Sequence, residues 1–415
     1  MTPEKTIVIG GGLAGLSAAV ALAEKGANVT LMEAAGQAGG RCRSYFDSTL
    51  GMRIDNGNHL VLSGNHATFK YLRMIGAENR MTGPEHARFT FTDLENGERW
   101  DIAPNAGPLA WWVLSGARRV PGTSAKDYAS LVPLMMAGAG KRVCDVVRCD
   151  GALWYKLLRP FLLAALNTAP EEGSAALAGA IIRETLAKGG RHYRPRIAAP
   201  DLAAAFVTPA LEYLKAHGAD VQLGARVRGL VRDDDHVIAL ANGDVTMPVS
   251  RYDKVILAVP PWTAGELLPG IAAPDEFCAI INAHFKIAPP ANAPAMLGVI
   301  NGTAEWIFTF EDRIAVTVSA ADAIVDKDRE ELAKLIWADV AKALDMQIAC
   351  PIWQIVKEKR ATFAATPEQA ERRAPAQTAW KNLFLAGDWT DTGLPATIEG
   401  AIRSGFHAAQ LAGRV

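Results

Sequence analysis

The chain has 415 residues, half of them hydrophobic, and a formal net charge of -1. A chain of this length can bury a large core and is expected to hold two domains; its near-neutral charge argues against a nucleic-acid partner or a generally anionic one. No uninterrupted run of about 18 apolar residues occurs, which argues against a membrane-crossing helix. The N-terminus enters a strand pattern almost at once, leaving no room for a signal peptide. The five cysteines, Cys42, Cys144, Cys149, Cys278 and Cys350, are odd in number and lack Cys-x-x-Cys spacing. They are expected to be scattered reduced thiols of a cytoplasmic protein, with neither a disulfide frame nor a zinc site, and no metal is expected.

Lys5-Thr6-Ile7-Val8-Ile9 is a short apolar run rich in β-branched residues and predicts a buried strand. It leads through Gly10-Gly11-Gly12-Leu13-Ala14-Gly15 into a strong helix former that stops at Gly26, and a second strand, Asn28 to Met32, ends on Glu33. Strand, Gly-x-Gly-x-x-Gly, helix, strand and acid, with the acid about 20 residues past the glycines, is the dinucleotide-binding pattern. Gly10 permits the tight turn, Gly12 lets the backbone approach a pyrophosphate, and Gly15 lets helix and strand pack closely. Leu13 and Ala14 open the helix whose free N–H groups face the phosphates. Glu33, followed by Ala34, is placed to accept from a ribose.

Gln37-Ala38-Gly39-Gly40-Arg41-Cys42-Arg43 adds a glycine pair and two guanidinium groups that suit a phosphate-bearing cofactor. This continuation resembles that of the "GG" flavoproteins, the superfamily of amine oxidases and carotenoid desaturases, and implies FAD. It implies an α/β fold: a discontinuous Rossmann-like FAD-binding domain (GR2-type), plus an α+β substrate domain with an antiparallel sheet and a helical cap. Asp55-Asn56-Gly57-Asn58-His59 is a polar turn between apolar segments. By itself it reads equally as a hairpin loop; in the desaturase branch it resembles, the turn borders the isoalloxazine, placing Gly57 and Asn58 against the flavin and His59 near its reactive face.

From about Pro84 the pattern changes. Arg88–Thr92 and Glu98–Ile102 alternate like strands, and beyond Pro108 a helical period takes over, broken by Pro121, Pro133, Pro160 and Pro170. Pro108–Leu114 and Trp154–Leu166 are unusually apolar, with Arg118-Arg119 and Lys141-Arg142 nearby. They read as core helices, or as a membrane-dipping entrance to a lipid pocket. After Ala203 comes an amphipathic helix to Gly218, then two short strands across Asp220–Val231. In the resembling flavoproteins the residue in the place of Val227 offers its main chain to the adenine. A hairpin around Asn242-Gly243-Asp244 and a buried strand, Lys254–Pro261, follow. Ile280–Ile287, Ala295–Val299, Trp306–Phe310 and Ile314–Val318 predict an antiparallel sheet, and Arg329–Leu344 an amphipathic helix. Val356–Phe363 is dense in charge and reads as a solvated edge strand or as a flavin-side segment.

Leu383-Phe384-Leu385-Ala386-Gly387-Asp388 is a strand ending in Gly-Asp, and Gly393–Gly405 a loop entering a helix. Asp388 can accept from ribityl hydroxyls, and the helix start at Thr397-Ile398-Glu399 can face the electron-rich flavin edge. The cofactor domain is thus assigned to residues 1–83, 203–264 and 376–415, and the substrate domain to 84–202 and 265–375. Arg159-Pro160-Phe161-Leu162, Leu166-Asn167-Thr168, Glu358–Phe363 and Gly387–Ala401 resemble the squalene-associated FAD enzymes, the hydroxysqualene dehydroxylases of bacterial hopanoid biosynthesis, over essentially the whole chain. That resemblance implies reduction of an apolar C30 isoprenoid by reduced FAD. No second Gly-x-Gly-x-x-Gly is visible, so a separate electron donor is expected. Asp55, His59 and Glu358 are the candidate proton donors. Peripheral contact with the inner face of the bacterial membrane and with neighbouring squalene-pathway enzymes follows as an expectation. A polyprenoid desaturase, an amine oxidase and a non-catalytic lipid-binding flavoprotein are the competing readings.

Overall fold

The computed structural model describes residues 4–243 and 245–413; Asp244 of the expected hairpin turn lies outside them. Lys5–Ile9 sits in the middle of a five-stranded sheet ordered Asp220–Leu223, Asn28–Glu33, Lys5–Ile9, Lys254–Leu257, Leu383–Leu385, every neighbour parallel. Such a sheet needs cover on both faces, which is why its central strands are apolar on alternate and intervening positions alike. The helices Leu13–Glu24 and Ile398–Ala412 pack together over it, around Leu16, Val20, Ile402 and Ala408. A Cβ on Gly405 would overlap the Ala14 carbonyl, so glycine is what allows this approach.

The second sheet has seven strands, ordered Trp353–Phe363, Phe277–Phe285, Ile314–Val318, Trp306–Thr309, Met296–Ile300, Phe89–Asp93, Arg99–Ile102. It is antiparallel apart from one parallel pair, Met296–Ile300 with Phe89–Asp93. Joining strands from distant parts of the chain produces that exception to the expected antiparallel sheet. One face buries Ile281, Ala283, Leu297, Ile307 and Val316 against the Arg329–Ala343 helix. The opposite face carries Phe91, Trp306 and Phe308 toward the helical region of residues 151–184. Asn282 and His284 interrupt it on one strand, and Thr317 lies directly opposite Asn282 on the next.

Two expectations are corrected. Residues 108–150 hold no long helix but short 3-10 turns at Trp111–Leu114, Asp127–Ser130 and Val143–Asp145 and a five-residue α-helix at Leu131–Met135. Gly116, Pro121, Gly122, Gly138 and Gly140 interrupt the hydrogen-bond ladder before a helix can propagate. Continuous helix appears only from Gly151, with a π turn at Trp154–Leu158 just before Pro160, where the ladder loses a donor. The cysteines are not all free: Cys144 and Cys149 form a disulfide, because the Val143–Asp145 turn folds their Cα atoms to 5.6 Å. Cys42, Cys278 and Cys350 remain thiols.

His284 is fully buried. Its Nε2 donates to the Asp55 carbonyl at 3.1 Å, while Nδ1 has no partner. Burial, and then the Arg313 charge, push it down to about 4. The unfolded chain therefore binds this proton first as pH falls, so stability is lost from about pH 6.5 toward 4. The penalty approaches about 3 kcal/mol. Urea midpoints measured across this range are expected to fall, and His284→Gln to show a shallower slope.

Candidate functional site

The first glycine turn follows from close approach. Gly10 has φ +110°, and a Cβ there would overlap the Ala258 carbonyl; one on Gly15 would overlap the Gly10 carbonyl. Gly12 differs, because a Cβ on it would meet no protein atom within 4 Å. Gly12 is also the N-cap of the Leu13–Glu24 helix, which has no side-chain cap and no acid in its first turn. An uncapped helix start facing open space is an anion cradle. Leu13 and Ala14 are buried in that first turn. Glu33 is fixed beside it: its carboxylate accepts from Gly11 N at 2.6 Å and Ala35 N at 2.8 Å, leaving Ala34 between. The Gly39-Gly40 turn lies against this loop, with Gly39 N donating to Gly11 O at 2.7 Å and both glycines at positive φ. Val227 is buried near the same corner, where Ala225 N donates to Glu33 O at 2.8 Å.

Arg41 joins three separate parts of the chain. Its guanidinium donates to Asp388 Oδ2 at 2.7 Å and to the Ala361 carbonyl. Gly387 precedes Asp388 at φ +153° and donates to Ser404 Oγ at 2.8 Å, setting the turn that delivers the carboxylate. Arg373, buried and pushed down to about 10 by burial, donates to Asp388 O at 3.1 Å, Thr392 Oγ1 at 2.8 Å and Thr390 O. It braces the Gly387–Thr392 loop. Glu358 is on the edge strand Trp353–Phe363, turned toward Arg41 and accepting from Asn56 Nδ2 at 3.4 Å. Desolvation, reinforced by the Arg41 charge, pushes His59 down to about 4, so it is neutral near pH 7.

The Asp55–His59 turn is pinned to the polar part of the second sheet. Asn282 Oδ1 accepts from Asn58 N at 3.3 Å and Thr317 Oγ1 at 2.9 Å; its Nδ2 donates to Asn56 O at 3.4 Å. Asn58 Nδ2 donates to Thr317 Oγ1 at 3.3 Å. A Cβ on Gly57 would lie 3.0 Å from Asn282 Nδ2, which fixes the spacing of turn and sheet. Asp55 is placed differently from the other two candidate acids. Its Oδ1 accepts from Ser44 Oγ at 2.6 Å and Leu202 N at 2.9 Å, so it anchors the 200s segment.

At the far end, Thr397 Oγ1 accepts from Gly400 N at 3.0 Å and caps the helix that Ile398 begins. Glu399 turns away and accepts from Ala67 N, Thr68 N and Thr68 Oγ1 at 3.0, 2.9 and 2.7 Å, capping the His66–Met74 helix. The sequence reading missed Asn282, Thr317 and Arg373. Asn282 and His284 at alternate positions of an apolar strand were the available signal; Arg373 carried none.

Residues 13–412 match the model of the flavin containing amine oxidoreductases. The chain is 52% identical over 407 residues to the hydroxysqualene dehydroxylase of Zymomonas mobilis, covering 98% of both chains. It is 51% identical over 410 residues to that of Rhodopseudomonas palustris, again with 98% of each covered. This chain belongs to the hydroxysqualene dehydroxylase family of flavin containing amine oxidoreductases. Its fold is also that of cyclohexylamine oxidase from Brevibacterium oxydans, with TM-score 0.75, 14% identity and 99% of both chains covered. It is an FAD-dependent oxidoreductase. The open space at Gly12, the uncapped helix start and the Arg41–Asp388 pair fit that cofactor, with Gly10, Gly12, Gly15, Glu33, Gly39, Gly40, Arg41 and Asp388 able to hold it.

Because the space beside Gly12 is empty of protein, Gly12→Val should leave the unfolding temperature of the apoprotein nearly unchanged and abolish FAD retention on gel filtration. Gly15→Val, by contrast, should impair folding itself.

Proposed function

We propose that this family member reduces hydroxysqualene to squalene. The likeness to named hydroxysqualene dehydroxylases over nearly the full length carries the reading. The aromatic and aliphatic face of the second sheet, broken by a few polar groups near Arg41, supports it. In the reaction the allylic C–O bond breaks, a C–H bond forms at the same carbon, and the hydroxyl leaves as water after taking a proton. Reduced FAD, when bound, supplies the hydride and is oxidised, and a separate electron donor restores it.

The chain's own task is then to deliver a proton and keep water from the developing cation. Asp55 is committed to Ser44 and Leu202, and His59 is neutral near pH 7, which leaves Glu358 as the proton-handling carboxyl. Asn56 Nδ2 donates to it at 3.4 Å. The apolar helices over the sheet exclude water.

The enzyme also needs access to a substrate that partitions into lipid. Leu109, Trp111, Leu114 and Met136 are 80%, 53%, 72% and 80% exposed. Trp111 and Leu114 share one short turn, Leu109 just before it accepts from Trp111 N at 2.8 Å, and Trp112 packing on Tyr128 at 5.3 Å ties that turn to the segment leading to Met136. Arg118 stacks over Trp111 at 4.7 Å. Among the described residues no helix is long and apolar enough to cross a membrane. This patch is read as a peripheral contact with the inner face of the bacterial membrane, its apolar side chains entering the interface and its guanidinium groups staying at the headgroups.

Three outcomes are expected. Anaerobic mixing of photoreduced protein with hydroxysqualene should regenerate oxidised flavin with squalene in the lipid extract. Glu358→Gln should retain FAD yet slow that single turnover by about 100-fold. Bleaching of the oxidised flavin by squalene, without reoxidation by the alcohol, would instead indicate a desaturase. In flotation assays the protein should rise with anionic phospholipid vesicles, and Leu109→Ser/Trp111→Ser should not.

A further inference from the structure

A cavity of about 1080 Å³ lies between the lower end of the second sheet and the small sheet of Leu60–Leu62, Pro195–Ala198 and Met81–Thr82. Its walls include Pro84, Ile197, Met296 and Phe310. Its volume sits at the upper limit of ordinary small-molecule sites, about 300–1,000 Å³, which suits a large apolar ligand better than a compact polar one.

Of the charged residues in its lining, one is buried. Arg313 is buried, its side chain only 7% exposed, and it stacks on the Phe310 ring at 3.9 Å. Among the described residues its Nε has no partner, and its one ion pair is a long 3.4 Å contact to the exposed Asp312. A buried guanidinium with donors to spare calls for an oxygen acceptor. An anion is a poor match, because Glu311 and Asp312 stand exposed at the same wall and the other lining guanidinium, Arg88, is already paired with Asp101 at 2.6 Å. A neutral oxygen on a long hydrocarbon meets both requirements.

The cavity wall is linked to the polar turn described above through one strand pairing. Arg313 immediately precedes Ile314, which pairs with Phe285; the neighbouring His284 donates to the Asp55 carbonyl at the start of the Asp55–His59 turn.

Resting on the reading of the chain as a reductase of a polyprenoid alcohol, we infer that this cavity is where the polyprenoid alcohol is held before it reaches the flavin, and that Arg313 donates to its hydroxyl there. The contact gives the site a means of holding alcohol over hydrocarbon. The product, having lost its oxygen as water, can no longer accept from Arg313, and this favours its release.

The test is equilibrium binding to the FAD-loaded, oxidised protein, in which the alcohol cannot be reduced. Radiolabelled hydroxysqualene and squalene are partitioned between detergent and protein. Arg313→Met should weaken the alcohol by about tenfold and leave squalene unchanged, and Arg313→Lys should restore most of the preference. Ile197→Trp, which fills the chamber, should weaken both lipids together. FAD content of each variant reports folding. Equal effects of Arg313→Met on the two lipids, or none on either, would overturn the hydroxyl contact. Unchanged binding of both lipids to Ile197→Trp would overturn the chamber. If the wild type prefers the alcohol through Arg313 but its reduced form yields no squalene, the reaction has been misread while the chamber stands.

Discussion

The ion pair between Arg41 and Asp388 is the constraint on which the site depends. It joins the loop after the first acid to the turn after the last strand of the parallel sheet, and the same guanidinium reaches the backbone of the edge strand of the other sheet. An exposed ion pair contributes little. Here Asp388 is buried and braced from behind by Arg373, so the pair is held in one geometry. The glycine turns set the distance at which these parts meet. Where a Cβ would overlap a carbonyl, at Gly10 and Gly15, the glycine serves the fold; at Gly12 a Cβ would meet nothing within 4 Å, so packing among the described residues does not require the glycine.

What could be read from the sequence was what is local. The Gly10–Glu33 segment declares itself because turn, helix and acid are adjacent and each residue type has a single strong conformational reason to be there. The Gly387-Asp388 strand end is legible for the same reason, as are the strands Ile314–Val318 and Lys254–Leu257. Asn282 and Thr317 were hidden because their partner, the Asn56–Asn58 turn, lies more than two hundred residues away in sequence. Only the pairing register of two strands brings them together. The helical reading of residues 108–150 failed on a different ground, since apolar spacing outweighed the glycines and prolines that cut the segment into turns. Cys144 and Cys149 lie a few residues apart, and no spacing rule foretold the turn that joins them.

Polar residues of similar appearance take different tasks according to where their hydrogen bonds go. Asp55, a plausible acid by sequence, is occupied with Ser44 and Leu202. Glu399, one residue past Ile398, caps a different helix. Glu358 sits in a strand that is at a sheet edge by topology, yet faces Arg41 and Asn56. Of the two readings of that strand, the edge position is what the topology shows.

The parallel sheet's outermost strand, Leu383–Leu385, pairs with Lys254–Leu257, and Asp388 follows directly behind it. On the ribosome the Gly10–Glu33 unit emerges early, with its phosphate cradle preformed, but the strand that closes the sheet and the carboxylate that answers Arg41 come only near the end of translation. A nascent chain would thus hold an apolar sheet edge open for most of its synthesis, the situation in which aggregation competes with folding. A site assembled from both early and late segments would be complete only in a finished chain. A chain cut short before Asp388 would keep the Gly10–Glu33 turn but leave Arg41 without its carboxylate partner.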